Sequence, residues 1–144
     1  ALATGLETHP FRPDRLVVVS PRGRTPAGRR KIAFADLVDF DFVGLARGAA
    51  LDDHLAMHAA RLGRALRLRV RANSLDAVCS MVAAGVGIGI VPEATARRHR
   101  RALPIDIVRL ADGWAARQLS LCVRDSRQLS RPARQLFETL RKSA

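Results

Sequence analysis

His54 and His58 have a spacing that could bind a metal ion, because residues four apart lie on one face of a helix. A metal site needs further ligands, and the residues between the two histidines are Leu-Ala-Met, without the glutamate of a metalloprotease helix. No Cys or carboxylate trio stands nearby in the sequence. The pattern therefore predicts no metal site and is typical of a solvated or interface helix face.

The glycines Gly85, Gly87 and Gly89 invite comparison with a dinucleotide-binding loop. The G-x-G-x-x-G spacing fails, however, because Ile90 stands where the third glycine belongs. The three glycines also fall inside a predicted strand, where glycine allows another backbone or a ligand to come close. We therefore expect a structural role for these glycines and no nucleotide cofactor.

Neither cysteine lies in a motif for nucleophilic catalysis. Cys79 falls in an apolar helix pattern and Cys122 in a strand, and the sequence contains no G-x-S-x-G motif. We therefore predict a protein that is not an enzyme. Two cysteines cannot form a disulfide framework, and the longest nearly uncharged apolar stretch, 81–92, is too short to span a bilayer. These features favour a cytoplasmic protein without a membrane partner.

The net charge of +12 raises the question of nucleic-acid binding. Of the 25 basic residues only Lys31 and Lys142 are lysines, and the arginines are dispersed apart from clusters at 22–31 and 97–101. Neither cluster is interleaved with aromatic residues, so a stacking platform for single strands is unsupported. The arginine excess is more simply a coding bias, and we predict no direct DNA binding by this chain.

Strand and helix patterns alternate along the 144 residues, of which 48% are hydrophobic. After an apolar strand tail at 1–5, apolar or alternating runs predict strands, and 3.6-residue periodicity with caps predicts helices. The predicted strands are 14–21, 41–45, 66–72, 86–91, 105–110 and 118–123. The predicted helices are 50–62, 75–84, 93–99 and one that begins at Ser130, with a short helical turn at 33–37.

This alternation predicts an α/β fold with a mostly parallel sheet. Ligands of such sheets bind outside the carboxyl ends of the strands, where helix N-termini offer free N–H groups. The rule selects three places in this chain, namely 46–49, 73–74 and 92–93.

The run from Asn73 to Pro92, NSLDAVCSMVAAGVGIGIVP, closely resembles the most recognisable stretch of LysR-type transcriptional regulators. The resemblance is to their effector-binding domain. Three further segments agree with the family in order and spacing. The crossover into the family's second lobe resembles residues 14–21 together with 26–27. The first strand and helix of that lobe resemble residues 41–45 together with 49–51. The segments 114–124 and 129–133 resemble the return crossover and terminal helix.

The resemblance implies a type 2 periplasmic-binding-protein fold, in which two Rossmann-like α/β lobes are joined by crossover strands and an effector binds between them. Residues 1–19 would supply part of lobe I and a crossover, 20–120 a complete lobe II, and 121–144 the return crossover and terminal helix. The winged helix-turn-helix and the rest of lobe I have no counterpart in the sequence, so DNA would be bound only through a domain absent from this chain.

By the same resemblance, the partners are a small-molecule effector and further copies of the chain, as a homodimer or tetramer, with 50–62 and 66–72 facing a partner subunit. Arg47 could pair with an anionic effector. The family often has a serine where this chain has Ala49, so a hydroxyl that commonly contacts a carboxylate is missing. The residues placed at the ligand are Ala46, Arg47, Gly48, Ala49, Asn73 and Ser74, with Gly89, Val91 and Pro92 nearby and Thr8 on the lobe I side.

Two other functions are compatible with the same fold. One is a solute-binding protein of a transport system, which a secretion signal would indicate. The other is an enzyme on the two-lobe scaffold, such as a deaminase-type protein, which would need a catalytic constellation that the sequence lacks.

Overall fold

The computed structural model describes residues 5–144, so the predicted strand tail at 1–5 lies outside the described residues except for Gly5. Four short 3-10 turns accompany the strands and helices, at Pro26–Gly28, Phe34–Asp36, Gly113–Ala115 and Ser126–Gln128. The strands are β1 (Glu7–Pro21), β2 (Lys31–Ile32), β3 (Asp41–Leu45), β4 (Arg67–Ala72), β5 (Gly89–Pro92), β6 (Ile105–Leu110) and β7 (Ala116–Val123). The helices are α1 (Ala50–Arg61), α2 (Leu75–Ala83), α3 (Glu93–Arg100) and α4 (Arg131–Lys142).

The chain forms two compact units. The central unit is Arg15–Ala115, and the terminal unit combines 116–144 with the described residues of the segment that ends at Asp14. The predicted lobe boundaries, with lobe II at 20–120, stay a prediction. Within the described residues no helix has both the length and the apolar character needed to cross a bilayer.

The central unit contains a mixed sheet. β1 lies between β5 and β6 and runs antiparallel to both, while β2 pairs in parallel with β6. β3 and β4 form a parallel pair, and Ile88, just before β5, bridges in parallel to Phe42 of β3. β3 is thereby held beside the chain that enters β5, and the carboxyl ends of β3, β4 and β5 point to the same edge.

The predicted mostly parallel sheet is therefore wrong at its central strand. β1 is one continuous strand from Glu7 to Pro21, so the chain enters the central unit along this strand and not through a βαβ crossover within that unit. The apolar residues 16–19 of β1 are buried, as is typical of a strand in a parallel sheet. The amino-acid composition of β1 therefore could not indicate whether the strand runs parallel or antiparallel to its neighbours.

The core lies on both faces of this sheet, because successive strand residues point to opposite sides. Leu16 and Val18 of β1 belong to a cluster that also contains Leu55 of α1. Val17 and Val19 belong to a second cluster, with residues of α2 and α3 such as Val82 and Ala96. Cys79 is fully buried in the second cluster and Cys122 is exposed on β7; both thiols are free.

The prediction that Gly85, Gly87 and Gly89 all lie inside a strand is wrong. Gly85 ends α2 with a φ of 85°, and the strand begins only at Gly89. A Cβ atom on Gly87 would stand 2.5 Å from the carbonyl oxygen of Asp41, so glycine is required where β3 passes close by. The close backbone approach expected from the sequence is therefore present, at the turn before β5.

His54 and His58 do lie together on α1, with ring centroids 4.6 Å apart, but their face is not a solvated one. His58 is 8% exposed and stacks on Trp114, with ring centroids 4.0 Å apart. Burial of the imidazole lowers the pKa of His58, and the charges of His54 and Arg61 lower it further, whereas Asp112 raises it. The predicted helix face is in fact part of the fold's packing against the turn at Gly113–Ala115.

The terminal unit is built from β7, which pairs with β1, and from α4. Nε of Arg117 donates to Asp14 over 3.0 Å, and Ser130 caps α4 by accepting from the backbone N–H of Ala133. Phe137 of α4 packs edge-on against the ring of His9 at 5.1 Å, while Leu136 is exposed. The predicted start of this helix at Ser130-Arg-Pro is confirmed.

Candidate ligand-binding site

The three predicted segments leave the sheet at one edge of the central unit. β3 and β4 end together, since Leu45 pairs with Ala72, and the chain continues into the 46–49 loop and the 73–74 cap. Pro92 lies four residues beyond the bridge residue Ile88, and Ala46 lies four residues beyond its partner Phe42. All three segments therefore follow the carboxyl ends of neighbouring parallel strands.

The 46–49 loop is a tight turn that presents Arg47 to solvent. The N–H of Ala49 donates to the carbonyl oxygen of Ala46 at 3.2 Å, and Gly48 has a φ of 84°, which favours glycine. Ala49 then starts α1 without a side-chain cap. Arg47 is exposed and makes no ion pair or side-chain hydrogen bond with any residue that the structure describes.

A contact between Arg71 and Asp52, which the sequence patterns did not indicate, holds this loop against β4. Nη1 of Arg71 donates to the carbonyl oxygen of Leu45 at 2.9 Å and to a carboxylate oxygen of Asp52 at 2.8 Å. One guanidinium therefore ties the last residue of β3 to the first turn of α1. The alternation at 66–72 predicted an arginine face on β4 but contained no signal for its partner.

The 73–74 segment forms the start of α2. Both residues are exposed, and Oγ of Ser74 accepts a hydrogen bond from the N–H of Ala77 at 3.1 Å, which caps the helix. Asp76, in the first turn, binds His99 at 2.7 Å and Arg98 at 3.1 Å, both on α3. The hydrogen bond from His99 is the main reason that the pKa of Asp76 is lowered. This ion-pair cluster fixes the start of α2 relative to α3.

The remaining predicted site residues have different surroundings. Gly89 and Val91 are buried in β5, and a Cβ atom on Gly89 would meet Val78 and Val82 of α2. Pro92 is half-buried at the end of the same strand. Thr8 is exposed on β1 in the terminal unit. Their contacts with a ligand stay predictions.

None of the cavities described for the central unit is lined by the 46–49 or 73–74 segments, whereas Glu93 of the 92–93 segment lines the two larger ones. The space under α1, lined by Leu51, Leu55 and Leu68 among others, measures about 10 Å³, which is about the room for one water molecule. Two larger cavities, of about 440 and 250 Å³, lie along α3 and β6. Among residues 5–144, no group of three or more His, Cys, Asp or Glu side chains is arranged to hold a metal ion.

The family comparison gives a match over nearly the whole chain. A model of the LysR substrate binding domain matches residues 2–144. A search of curated proteins finds no significant match.

Solved structures give the same architecture. The regulatory domain of CcmR from Synechocystis, in complex with 2-PG, aligns with a TM-score of 0.84 and 21% identity, over 99% of this chain and 68% of that one. A mutant of OxyR from Corynebacterium glutamicum aligns with a TM-score of 0.75 and 26% identity, over 99% of this chain and 44% of that one.

Full-length CbnR complexed with its target DNA aligns with a TM-score of 0.76 and 20% identity, over 100% of this chain and 50% of that one. The chain thus spans between 44% and 68% of these solved chains. The fold is the type 2 periplasmic-binding-protein fold expected from the sequence, and the family match favours a regulator over a transport protein.

Proposed function

This chain belongs to the LysR substrate-binding domain family, and from that premise we propose that it is the effector-sensing part of a bacterial transcription factor. A small molecule bound to this domain would change how a helix-turn-helix domain, outside this chain, binds DNA. The resemblance to CcmR with 2-PG supports a small-molecule ligand, and the resemblance to CbnR with its target DNA supports the coupling to DNA.

The observation that carries the proposal is the common edge of three strand-end segments, 46–49, 73–74 and 92–93. At this edge the N-terminus of α2 offers backbone N–H groups and Arg47 offers a guanidinium without a carboxylate among the described residues. These groups are hydrogen-bond donors at the carboxyl ends of neighbouring strands, and such donors suit an anion. The effector class that fits best is a small carboxylate or another small organic anion.

Ala49 shapes how such an anion would be held. Without a hydroxyl at this position, the 46–49 loop offers only backbone N–H groups and Arg47, so the charge of Arg47 carries more of the recognition. Asn73 and the hydroxyl hydrogen of Ser74 are further exposed donors. Gly89, Val91 and Pro92 would support the site through the position of β5, and a role for Thr8 stays a prediction from the family resemblance.

The regulatory step follows from differential binding. A ligand that binds one arrangement of the domain more tightly than another shifts the population toward that arrangement. A coupling of about 1–3 kcal/mol suffices for a five- to hundredfold change in the affinity for DNA. Neither catalysis nor a cofactor is required for this, and we infer a cytoplasmic regulator that is not an enzyme.

A homodimer or tetramer would transmit the shift. Met57 on α1 and Leu62 directly after it have 41% and 45% of their surface exposed, and β4 has a free edge among the described strands. Exposed apolar side chains next to a strand edge suit a protein interface. This supports the proposal that α1 and β4 face a partner subunit.

The test is a thermal-shift panel of aromatic and aliphatic carboxylates, amino acids and neutral metabolites. We expect one class of anion to raise the melting temperature in a concentration-dependent way, because a ligand that binds only the native state stabilises it. Arg47→Ala should reduce the apparent affinity for that anion about tenfold. Arg24→Ala removes another exposed loop arginine and should not. Equal effects of the two variants, or a panel without any shift, would contradict the proposed anion contact.

A further inference from the structure

The cavities of about 440 and 250 Å³ in the central unit adjoin each other, since both are lined by Glu93 and Ile107. Together they form a concave surface with basic walls and an aliphatic floor that includes Val17. We call it the arginine groove, and it is lined by six arginines: Arg15, Arg30, Arg97, Arg100, Arg101 and Arg109.

The fold brings these arginines together from separate parts of the sequence. Arg15 lies on β1 two residues before Val17, and Arg109 on β6 pairs with Val17 across the ladder, so alternation places both side chains on the same face as α3. Arg30 precedes β2, and its carbonyl oxygen accepts from the N–H of Arg109 at 2.9 Å. The other three follow on α3 and its C-terminal end.

The groove gathers arginines that mostly lack a carboxylate partner among the described residues. On other surfaces some arginines bind carboxylates, as Arg71 binds Asp52 and Arg127 binds Asp125, whereas others in the described part of the chain, such as Arg47, do not. The groove contains one carboxylate, Glu93, which is already bound to Arg97 at 2.8 Å.

The other five arginines of the groove have no carboxylate within ion-pair distance among residues 5–144. Clustered guanidinium groups repel one another unless an anion lies between them. The fork geometry of arginine matches phosphate oxygens in particular.

From this arrangement we propose that the arginine groove binds a small molecule that carries two or more phosphoryl groups. The two cavities, of about 440 and 250 Å³, are in the size range of small-molecule sites and offer a place for each of two anionic groups. A duplex DNA backbone fits less well, because the arginines line a concave pocket rather than a protruding surface. The groove is separate from the 46–49 and 73–74 segments, so this ligand would be a second one.

The test is calorimetric titration of the protein with inorganic pyrophosphate and, in parallel, with orthophosphate at the same ionic strength. We expect pyrophosphate to bind at least about tenfold more tightly, because two phosphoryl groups reach two sets of arginines. The double variant Arg100→Ala/Arg109→Ala removes one arginine unique to each cavity and should weaken pyrophosphate binding by about a hundredfold.

Two further variants make the result specific. Arg24→Ala/Arg124→Ala has the same change in net charge at exposed positions outside the groove and should bind pyrophosphate as the unmodified protein does. Glu93→Gln removes the only carboxylate of the groove, frees Arg97, and should strengthen binding. No heat with pyrophosphate, or equal losses in both double variants, would overturn the proposal. So would a short DNA duplex that binds through Arg100 and Arg109 more tightly than pyrophosphate does.

Discussion

At Gly87, β3 comes very close to the chain before β5, and this close approach requires glycine. A methyl group at this position would meet the carbonyl oxygen of Asp41 at 2.5 Å, and Ile88 beside it exchanges backbone hydrogen bonds with Asp41 and Val43. The same contacts align the carboxyl end of β3 with that of β5. A substitution of Gly87 is therefore expected to affect the proposed ligand-binding segments as well as the stability of the fold.

Gly87→Ala is predicted to lower the free energy of unfolding by about 1–3 kcal/mol, because the backbone atoms in contact cannot move aside cheaply. Gly113→Ala is the matched control, since a Cβ atom there meets nothing within 4 Å, and it should change stability by no more than about 0.5 kcal/mol. Urea denaturation of the two variants measures both values. Similar losses at the two positions would show that the contact at Gly87 is not what requires glycine.

His58 gives the central unit a pH dependence whose sign follows from burial. Because the folded state lowers the pKa of His58 below its usual 6.5, the neutral form is favoured in the folded protein. Its contribution to stability is complete at pH values above the unfolded pKa, and it declines as the pH falls from about 6.5 toward the lowered value.

His58→Phe keeps an aromatic ring against Trp114 and removes the titrating group. We predict that the melting temperature of the unmodified protein falls more steeply than that of the variant between about pH 7 and pH 5. Melting curves at several pH values provide the measurement. Parallel pH profiles for the two proteins would mean that His58 is not held in its neutral form.

Among the elements, the junction of β3, β4 and α1 depends on Arg71. Its guanidinium binds the carbonyl oxygen of Leu45 and the carboxylate of Asp52, whose side chain is 13% exposed. We predict that Arg71→Ala speeds amide exchange at Ala49 and Asp53, whose N–H groups close the turn and the first helical bond. Arg69→Ala, on the same strand but paired with Asp41, should leave that exchange unchanged. Hydrogen exchange that responds equally to both variants would contradict the role given to Arg71.

The elements also show what sequence reasoning could reach. β3 and β6 were predicted to the residue, because each carries closely spaced apolar residues near a turn-forming residue, Gly48 after β3 and Pro104 before β6. Residues 7–14 of β1 were missed, since this part of the strand contains two prolines and mostly polar side chains, and none of its residues is buried. The direction of β1 could not be predicted either, because a pattern of apolar residues indicates which residues are buried but not which way the strand runs.

The candidate sites also differ in how well the sequence alone could predict them. Segments that follow strands are local in sequence, so 46–49, 73–74 and 92–93 could be named in advance. The bond between Arg71 and Asp52 joins residues 19 apart, and the arginine groove gathers residues from positions 15 to 109. The contact of Arg71 leaves no local pattern. For the groove, the sequence shows the clusters at 22–31 and 97–101, which contain four of its arginines, but not that the fold joins them to Arg15 and Arg109.

For the whole molecule, we propose two ligand surfaces on the central unit, an effector edge and an arginine groove. The effector edge consists of the strand-end segments, and the groove lies along α3 and β6. Glu93, at the start of α3, adjoins both, so the two ligands could influence each other through α3. Such coupling would be reciprocal, with each ligand changing the affinity of the other by the same factor.

The most direct test of the central claim is amide hydrogen exchange, measured by mass spectrometry on the protein with and without the anion selected by the thermal-shift panel. We predict that exchange slows together in the 46–49 loop and in the first turn of α2, because the proposed ligand binds backbone groups of both. Exchange in β6 should not change. Protection confined to α4 or to the arginine groove, with the 46–49 loop and the start of α2 unaffected, would contradict the assignment of the effector site.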